Sequence, residues 1–91
     1  IRRQRQMCIR DSVRRATRAA LLAAARNEFA TIAFPALGTG SGGVPFDEAA
    51  RAMVDEIRAH KFPHPSTVWL IATTSEMIYA FEDALRLAAQ P

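Results

Sequence analysis

From Ser12 onward, apolar residues recur at helical steps: Val13, Ala16, Ala20, Ala23 and Ala24 fall on one stripe, with Arg14, Arg15 and Arg18 mostly off it. That spacing predicts an amphipathic helix. Its alanine content raises helix propensity and gives a flat face that can lie close to a sheet. The helix is expected to end at Arg26-Asn27, with Asn in the left-handed conformation that closes many helices. Thr31-Ile32-Ala33-Phe34 is a short apolar run containing β-branched residues and stopped by Pro35, and it reads as a buried strand. Leu37 to Pro45 reads as loop. A second helix is expected from Asp47 as N-cap, burying Ala50, Met53, Val54 and Ile57 at i, i+3, i+4 and i+7. His60 to Ser66, interrupted by Pro63 and Pro65, can only connect. Val68-Trp69-Leu70-Ile71-Ala72 reads as a second buried strand. Thr73 and Glu76 have capping-box spacing and open a last helix with Ile78, Phe81, Leu85 and Ala88 inward.

The predicted order is α-β-α-β-α, an α/β chain whose two strands, joined by a helical crossover, are parallel. Two parallel strands make a poor sheet, because such sheets are ordinarily covered on both faces and contain more strands. At least one edge would present unpaired backbone N–H and C=O groups. The chain therefore reads as part of a larger α/β layer structure, expected by itself to bind a ligand weakly or not at all.

Composition narrows the class without naming a chemistry. The 91 residues, 49% hydrophobic and 23% charged, allow one domain with a marginal core. No apolar tract has membrane-spanning length. A single cysteine, Cys8, excludes an internal disulfide framework or a multi-cysteine zinc site and fits a reducing compartment. The basic start never runs into an apolar stretch with a small-residue cleavage site, so no secretory signal is read and a cytoplasmic location is expected.

Charge is uneven. Residues 1–26 carry eight of the twelve basic residues against one acid, Asp11, giving that segment +7 and leaving −4 for the remainder. Such an arm can bind a polyanion, but no aromatic side chain is interleaved for base stacking, so nucleic acid is not the expected partner. Gln6-Met7-Cys8-Ile9-Arg10-Asp11-Ser12 resembles adapter read-through, so residues 1–12 are expected to be a basic arm, disordered or foreign to the domain that occupies 13–91.

The chemistry concentrates in the loop after the first strand. All four glycines lie within six residues, as Gly38-Thr39-Gly40-Ser41-Gly42-Gly43. Clustered glycines let successive N–H groups face one side and let a ligand approach without Cβ interference, which suits a phosphate or diphosphate. A dinucleotide-binding unit would start its helix inside the motif and place an acid about 20 residues on. Here Pro45 intervenes, and the next strand ends at neutral Ala72-Thr73-Thr74. The phosphate-binding loop of nucleoside triphosphatases needs a Gly-Lys-Ser/Thr end, and no lysine is present. A hydrolase nucleophile elbow needs Gly two residues before its Ser, where Ser41 has Thr39. His60 and His64 sit in the distant connector and are expected to be solvent-exposed, with no metal to hold. Asp47 and Glu48 already complement the second helix's dipole, so the loop N–H groups, not that helix end, are expected to meet an anion.

Ala33-Phe34-Pro35-Ala36-Leu37-Gly38-Thr39-Gly40, then Gly43-Val44-Pro45 and Glu48-Ala49-Ala50, resemble the macro domain family, with the likeness running from Val13 to Leu87. The resemblance implies the C-terminal part of a three-layer α/β/α fold that binds ADP-ribose or ADP-ribosylated substrates, with no cofactor. It implies that Gly38, Thr39, Gly40, Ser41, Gly42, Gly43 and Val44 wrap the diphosphate and distal ribose, and it puts Thr73 on the adenine side. Gly42 stands where many members place an aromatic beside the distal ribose. Thr73 and its neighbours stand where an aromatic often stacks on adenine. Some members hydrolyse ADP-ribose conjugates; if this one does, its catalytic loop lies outside these residues, and no residue here is assigned a catalytic role.

Overall fold

The computed structural model describes residues 2–40 and 43–89, with side chains from Asp11 onward except at 41 and 42. Five elements follow in order: α1 (Arg2–Arg26), β1 (Thr31–Phe34), α2 (Phe46–Ala59), β2 (Thr67–Leu70) and α3 (Ser75–Ala89). The α-β-α-β-α order and the parallel strand pair agree with the sequence. Thr31 pairs with Thr67, and the register runs on to Phe34 opposite Leu70. The Ile71 N–H donates to the Phe34 carbonyl at 2.8 Å, carrying the contact one residue past β2.

The strands differ from expectation in burial. Side chains alternate across a strand. Ile32, Phe34, Val68 and Leu70 turn toward the helices, whereas Thr31, Ala33, Thr67 and Trp69 are exposed. One apolar cluster joins Val13 and Leu21 of α1, Phe34 of β1, Met53 and Val54 of α2, and Met77 and Phe81 of α3. All three helices therefore cover the same sheet face. The described chain is two layers, helices on sheet, instead of strands buried on both sides.

Helix α1 begins at Arg2, not at Ser12. Its inward face is Val13, Thr17, Leu21 and Ala24; Ala16 and Ala23 are exposed and Ala20 half-buried. Thr17 can turn inward because its hydroxyl donates to the Val13 carbonyl at 2.8 Å, satisfying the one polar group it buries. The end of α1 is a Schellman motif. Phe29 N–H donates to the Ala24 carbonyl at 2.9 Å and Glu28 N–H to Ala25 at 3.1 Å. The left-handed residue is Glu28, at φ 55°, and not Asn27, whose side-chain amide instead bonds the Ala23 carbonyl at 2.8 Å.

Helix α2 starts two residues early. Pro45 is its cap, extended at φ −56° and ψ 147°, and offers its carbonyl to Ala49 N–H at 3.0 Å. Asp47 lies in the first turn without capping, where its charge still complements the dipole. Helix α3 is capped by Thr74, whose Oγ1 accepts from Met77 N–H at 3.2 Å, not by Thr73. Its buried face is Met77, Ala80, Phe81 and Ala84, so Ile78 and Leu85 point outward, each about half exposed.

Ion pairs lock α1 to α2. Arg14 reaches Asp55 at 3.2 Å, and Arg18 grips Glu56 through two nitrogens at 2.9 and 3.2 Å. The hydrogen-bonded Arg18 guanidinium holds the Glu56 carboxyl below its usual range, and Arg14 adds to the pull against the opposing effect of burial.

Candidate functional site

The loop from Pro35 to Pro45 leaves the carboxyl end of β1. Because β1 and β2 are parallel and in register, the segment after β2, with Thr73, leaves the same end of the sheet. That end is where open α/β sheets hold ligands. Pro35 has no N–H to offer a ladder, which ends β1 and turns the chain.

Among the described residues, three hydrogen bonds shape the loop. Thr39 Oγ1 donates to the Ala36 carbonyl at 3.0 Å, Val44 N–H to Gly38 at 3.0 Å, and Gly43 N–H to Gly40 at 3.2 Å. Val44 is buried and anchors the loop's far end in the core. Two glycines carry the left-handed backbone that closes the ring, Gly38 at φ 76° and Gly43 at φ 73°. Gly38 is also sterically required. A Cβ there would sit 2.8 Å from Val13 Cγ2 and 3.2 Å from Val44 Cγ2. Gly40 is exposed with nothing within 4 Å of its missing side chain.

Closure divides the loop's donors into two sets. The N–H groups of Gly43 and Val44 are spent on loop carbonyls and Thr39 closes a turn over Leu37-Gly38, whereas the N–H groups of Gly38 and Gly40 have no partner among the described residues. Ser41 and Gly42 lie outside the described residues. Thr73 is exposed beside the α3 cap. The contribution of Val13 was not read from the sequence, where it was one more apolar residue on the stripe. Only the packing of α1 against the loop reveals it.

Other candidates separate from this loop. His60 and His64 are half-buried, not open to solvent, with His60 Nε2 2.7 Å from the His64 carbonyl. Among the described residues, no three His, Cys, Asp or Glu side chains come together as a metal site would need. Arg14 and Arg18, two of the basic residues nearest the core, are engaged by Asp55 and Glu56, which lowers what the basic segment can offer a polyanion. Cys8 lies outside the residues whose side chains are described. Among the described residues, no helix is long and apolar enough to cross a membrane. A groove of about 580 Å³ runs beside β2, lined by Val54, Ile57, Val68, Leu70, Ile78 and Leu85 among others; no residue of the glycine loop contributes to it.

The family model described as Macro domain matches residues 2–53, spanning α1, β1, the glycine loop and the first half of α2. The chain belongs to the macro domain family. Macro domains as a family generally bind ADP-ribose. This macro domain chain is also similar to an uncharacterized protein of Aquifex aeolicus (strain VF5), 47% identical over 77 residues, which are 85% of this chain and 47% of that protein. The chain spans about half the length of the curated relative it matches. The two-layer α/β architecture is thus that of a macro domain fragment.

Proposed function

We propose that this chain supplies the diphosphate-gripping loop of an ADP-ribose site, with Gly38, Thr39, Gly40, Ser41, Gly42, Gly43 and Val44 forming the wall and Thr73 standing on the adenine side. The observation that carries the reading is the partition of loop donors. Gly43 and Val44 close the ring, and the N–H groups of Gly38 and Gly40 have no protein partner among the described residues, at the carboxyl end of a parallel strand pair. Backbone amides clustered in a glycine-rich turn of this kind form concave donor sets that accept phosphate oxygens. Membership of a family that generally binds ADP-ribose selects that ligand among diphosphates.

Within the ring, Gly43 and Val44 act by shaping the loop, and the diphosphate meets the donors nearer β1. No carboxylate or imidazole belongs to the loop itself, and Thr39 Oγ1 is committed to the Ala36 carbonyl. The proposed role is therefore binding, with no hydrolytic step assigned to these residues. A cytoplasmic setting accords with the nucleotide ligand and the single cysteine.

Calorimetric titration of the complete parent domain with ADP-ribose, comparing wild type with Gly40→Glu, tests the proposal. Position 40 has open space and no left-handed backbone, so the substitution adds a carboxylate to the loop while leaving the fold intact. The wild type is expected to release binding heat that the variant loses. Equal heats would remove the loop from the site.

A further inference from the structure

The glycine loop has a back wall, and helix α1 supplies it. Val13 is 3% exposed and its Cγ2 methyl occupies the volume that a side chain at position 38 would need. Gly38 in turn accepts the bond that closes the ring, from Val44 N–H at 3.0 Å. Val13 thus presses on one end of the closure while Val44, buried in the same cluster, anchors the other.

The position of Val13 is set by contacts away from the loop. Arg14 and Arg18 tie α1 to Asp55 and Glu56 of α2. Thr17, fully buried, donates its hydroxyl to the Val13 carbonyl at 2.8 Å. Helix α1, held beside α2 by these ion pairs and by the shared core, brings a branched side chain against Gly38.

We propose that Val13 is a positioning residue of the ligand site: by backing Gly38 it fixes the direction of the Gly38 and Gly40 N–H groups without touching the ligand. The proposal rests on the reading of this loop as the ligand grip. Its physical content is preorganisation. Donors held in place before binding spare the ligand the cost of ordering them. Removing the Val13 methyls opens a gap beside a left-handed glycine, and the loop gains conformations in which the two donors diverge.

Two readouts decide the matter, the first on this chain and the second on the complete parent domain. The first, without ligand, is amide hydrogen exchange of Val44, which reports ring closure directly. Val13→Ala is expected to speed Val44 exchange about tenfold or more relative to Met53 in the core, through local opening. Val54→Ala deletes the same two methyls from α2 and is expected to leave that ratio unchanged. Val13→Leu keeps apolar volume but moves its branch away from Gly38, so it carries the same expectation as Ala should the smaller variant not fold. Val13→Ile retains Cγ2 and is expected to retain protection. A Val44-to-Met53 ratio that is the same in the Val13→Ala (or Val13→Leu) and Val54→Ala proteins would overturn the proposal.

The second readout is calorimetric affinity for ADP-ribose. Val13→Ala is expected to weaken it about three- to tenfold, with Val13→Ile close to wild type. Loop opening without any loss of affinity would also overturn the positioning role. Absence of wild-type binding heat would instead sink the ADP-ribose reading, and with it the role toward ligand, while the exchange ratio still reports whether Val13 holds the ring closed. The two failures are therefore distinguishable.

Discussion

Alanine substitution at Gly38, Gly43 and Gly40 separates the two physical demands on the loop. At Gly38 both act. A side chain at φ 76° meets the left-handed penalty of about 1–2 kcal/mol, and its Cβ would be forced to within 2.8 Å of Val13 Cγ2 and 3.2 Å of Val44 Cγ2. Both neighbours are buried and cannot swing into solvent. Overpacking of this kind costs about 1–3 kcal/mol, so Gly38→Ala is expected to lose about 2–5 kcal/mol in all. Gly43 shares the backbone demand at φ 73° but has open space around its Cβ position, so only the first penalty of about 1–2 kcal/mol applies. Gly40 has neither constraint. There alanine removes freedom from the unfolded chain and leaves stability unchanged or raised by up to about 1 kcal/mol. Urea unfolding followed by circular dichroism, with differences taken from midpoints at constant slope, measures the series. A Gly38→Ala protein no less stable than Gly43→Ala would refute the contact with Val13. A Gly40→Ala loss equal to that of Gly43→Ala would refute the loop conformation itself.

Glu28→Gly is expected to raise thermal stability by about 1 kcal/mol, because Glu28 holds the left-handed position of the α1 cap that glycine occupies without a Cβ penalty; no gain in melting temperature would discount the motif. Thr74→Ala is expected to cost about 1 kcal/mol through loss of the bond to Met77 N–H. Thr73→Ala is expected to change little, and the reverse ranking in urea unfolding would return the cap to Thr73. Glu56 gives a pH dependence of definite sign. Its carboxyl is held below the ordinary range by Arg18 first, so its contribution is fully present above the ordinary carboxyl pKa and is lost as pH falls through the lowered folded-state value. Urea midpoints compared between neutral and acid pH are expected to fall more in the wild type than in Glu56→Gln, and equal falls would dismiss the pair as a source of stability.

Where a segment's pattern was unambiguous, reading it locally succeeded. β1 was read at Thr31–Phe34, its observed span, because β-branched and aromatic residues stop abruptly at Pro35. The loop was legible because four glycines crowd six positions. The inward face of α1 was not, since alanines occur on both sides of the helix and a stripe drawn through them has no unique phase. The buried set includes Thr17 and Leu21, and Thr17 can lie inward because its hydroxyl is satisfied within the helix by the Val13 carbonyl. In α3 Phe81 is buried and Ala88 packs against the core as expected, but Met77, Ala80 and Ala84 turn inward in place of Ile78 and Leu85. Met77, Ala80 and Ala84 fit against α2, while the larger Ile78 and Leu85 face the groove beside β2.

Element order, the parallel crossover, the place of the glycine loop and the family likeness were all properties of the chain read by itself, because each depends on neighbours within a few residues. Which alanines turn inward, which residue takes the left-handed cap, which threonine caps α3, and why Gly38 tolerates no side chain depend on what another element brings alongside. For Gly38 that neighbour is Val13, twenty-five positions earlier in the sequence yet near enough to occupy its missing Cβ. Only the docking of α1 on the loop could decide it, because steric exclusion acts across space and leaves no periodic trace along the chain.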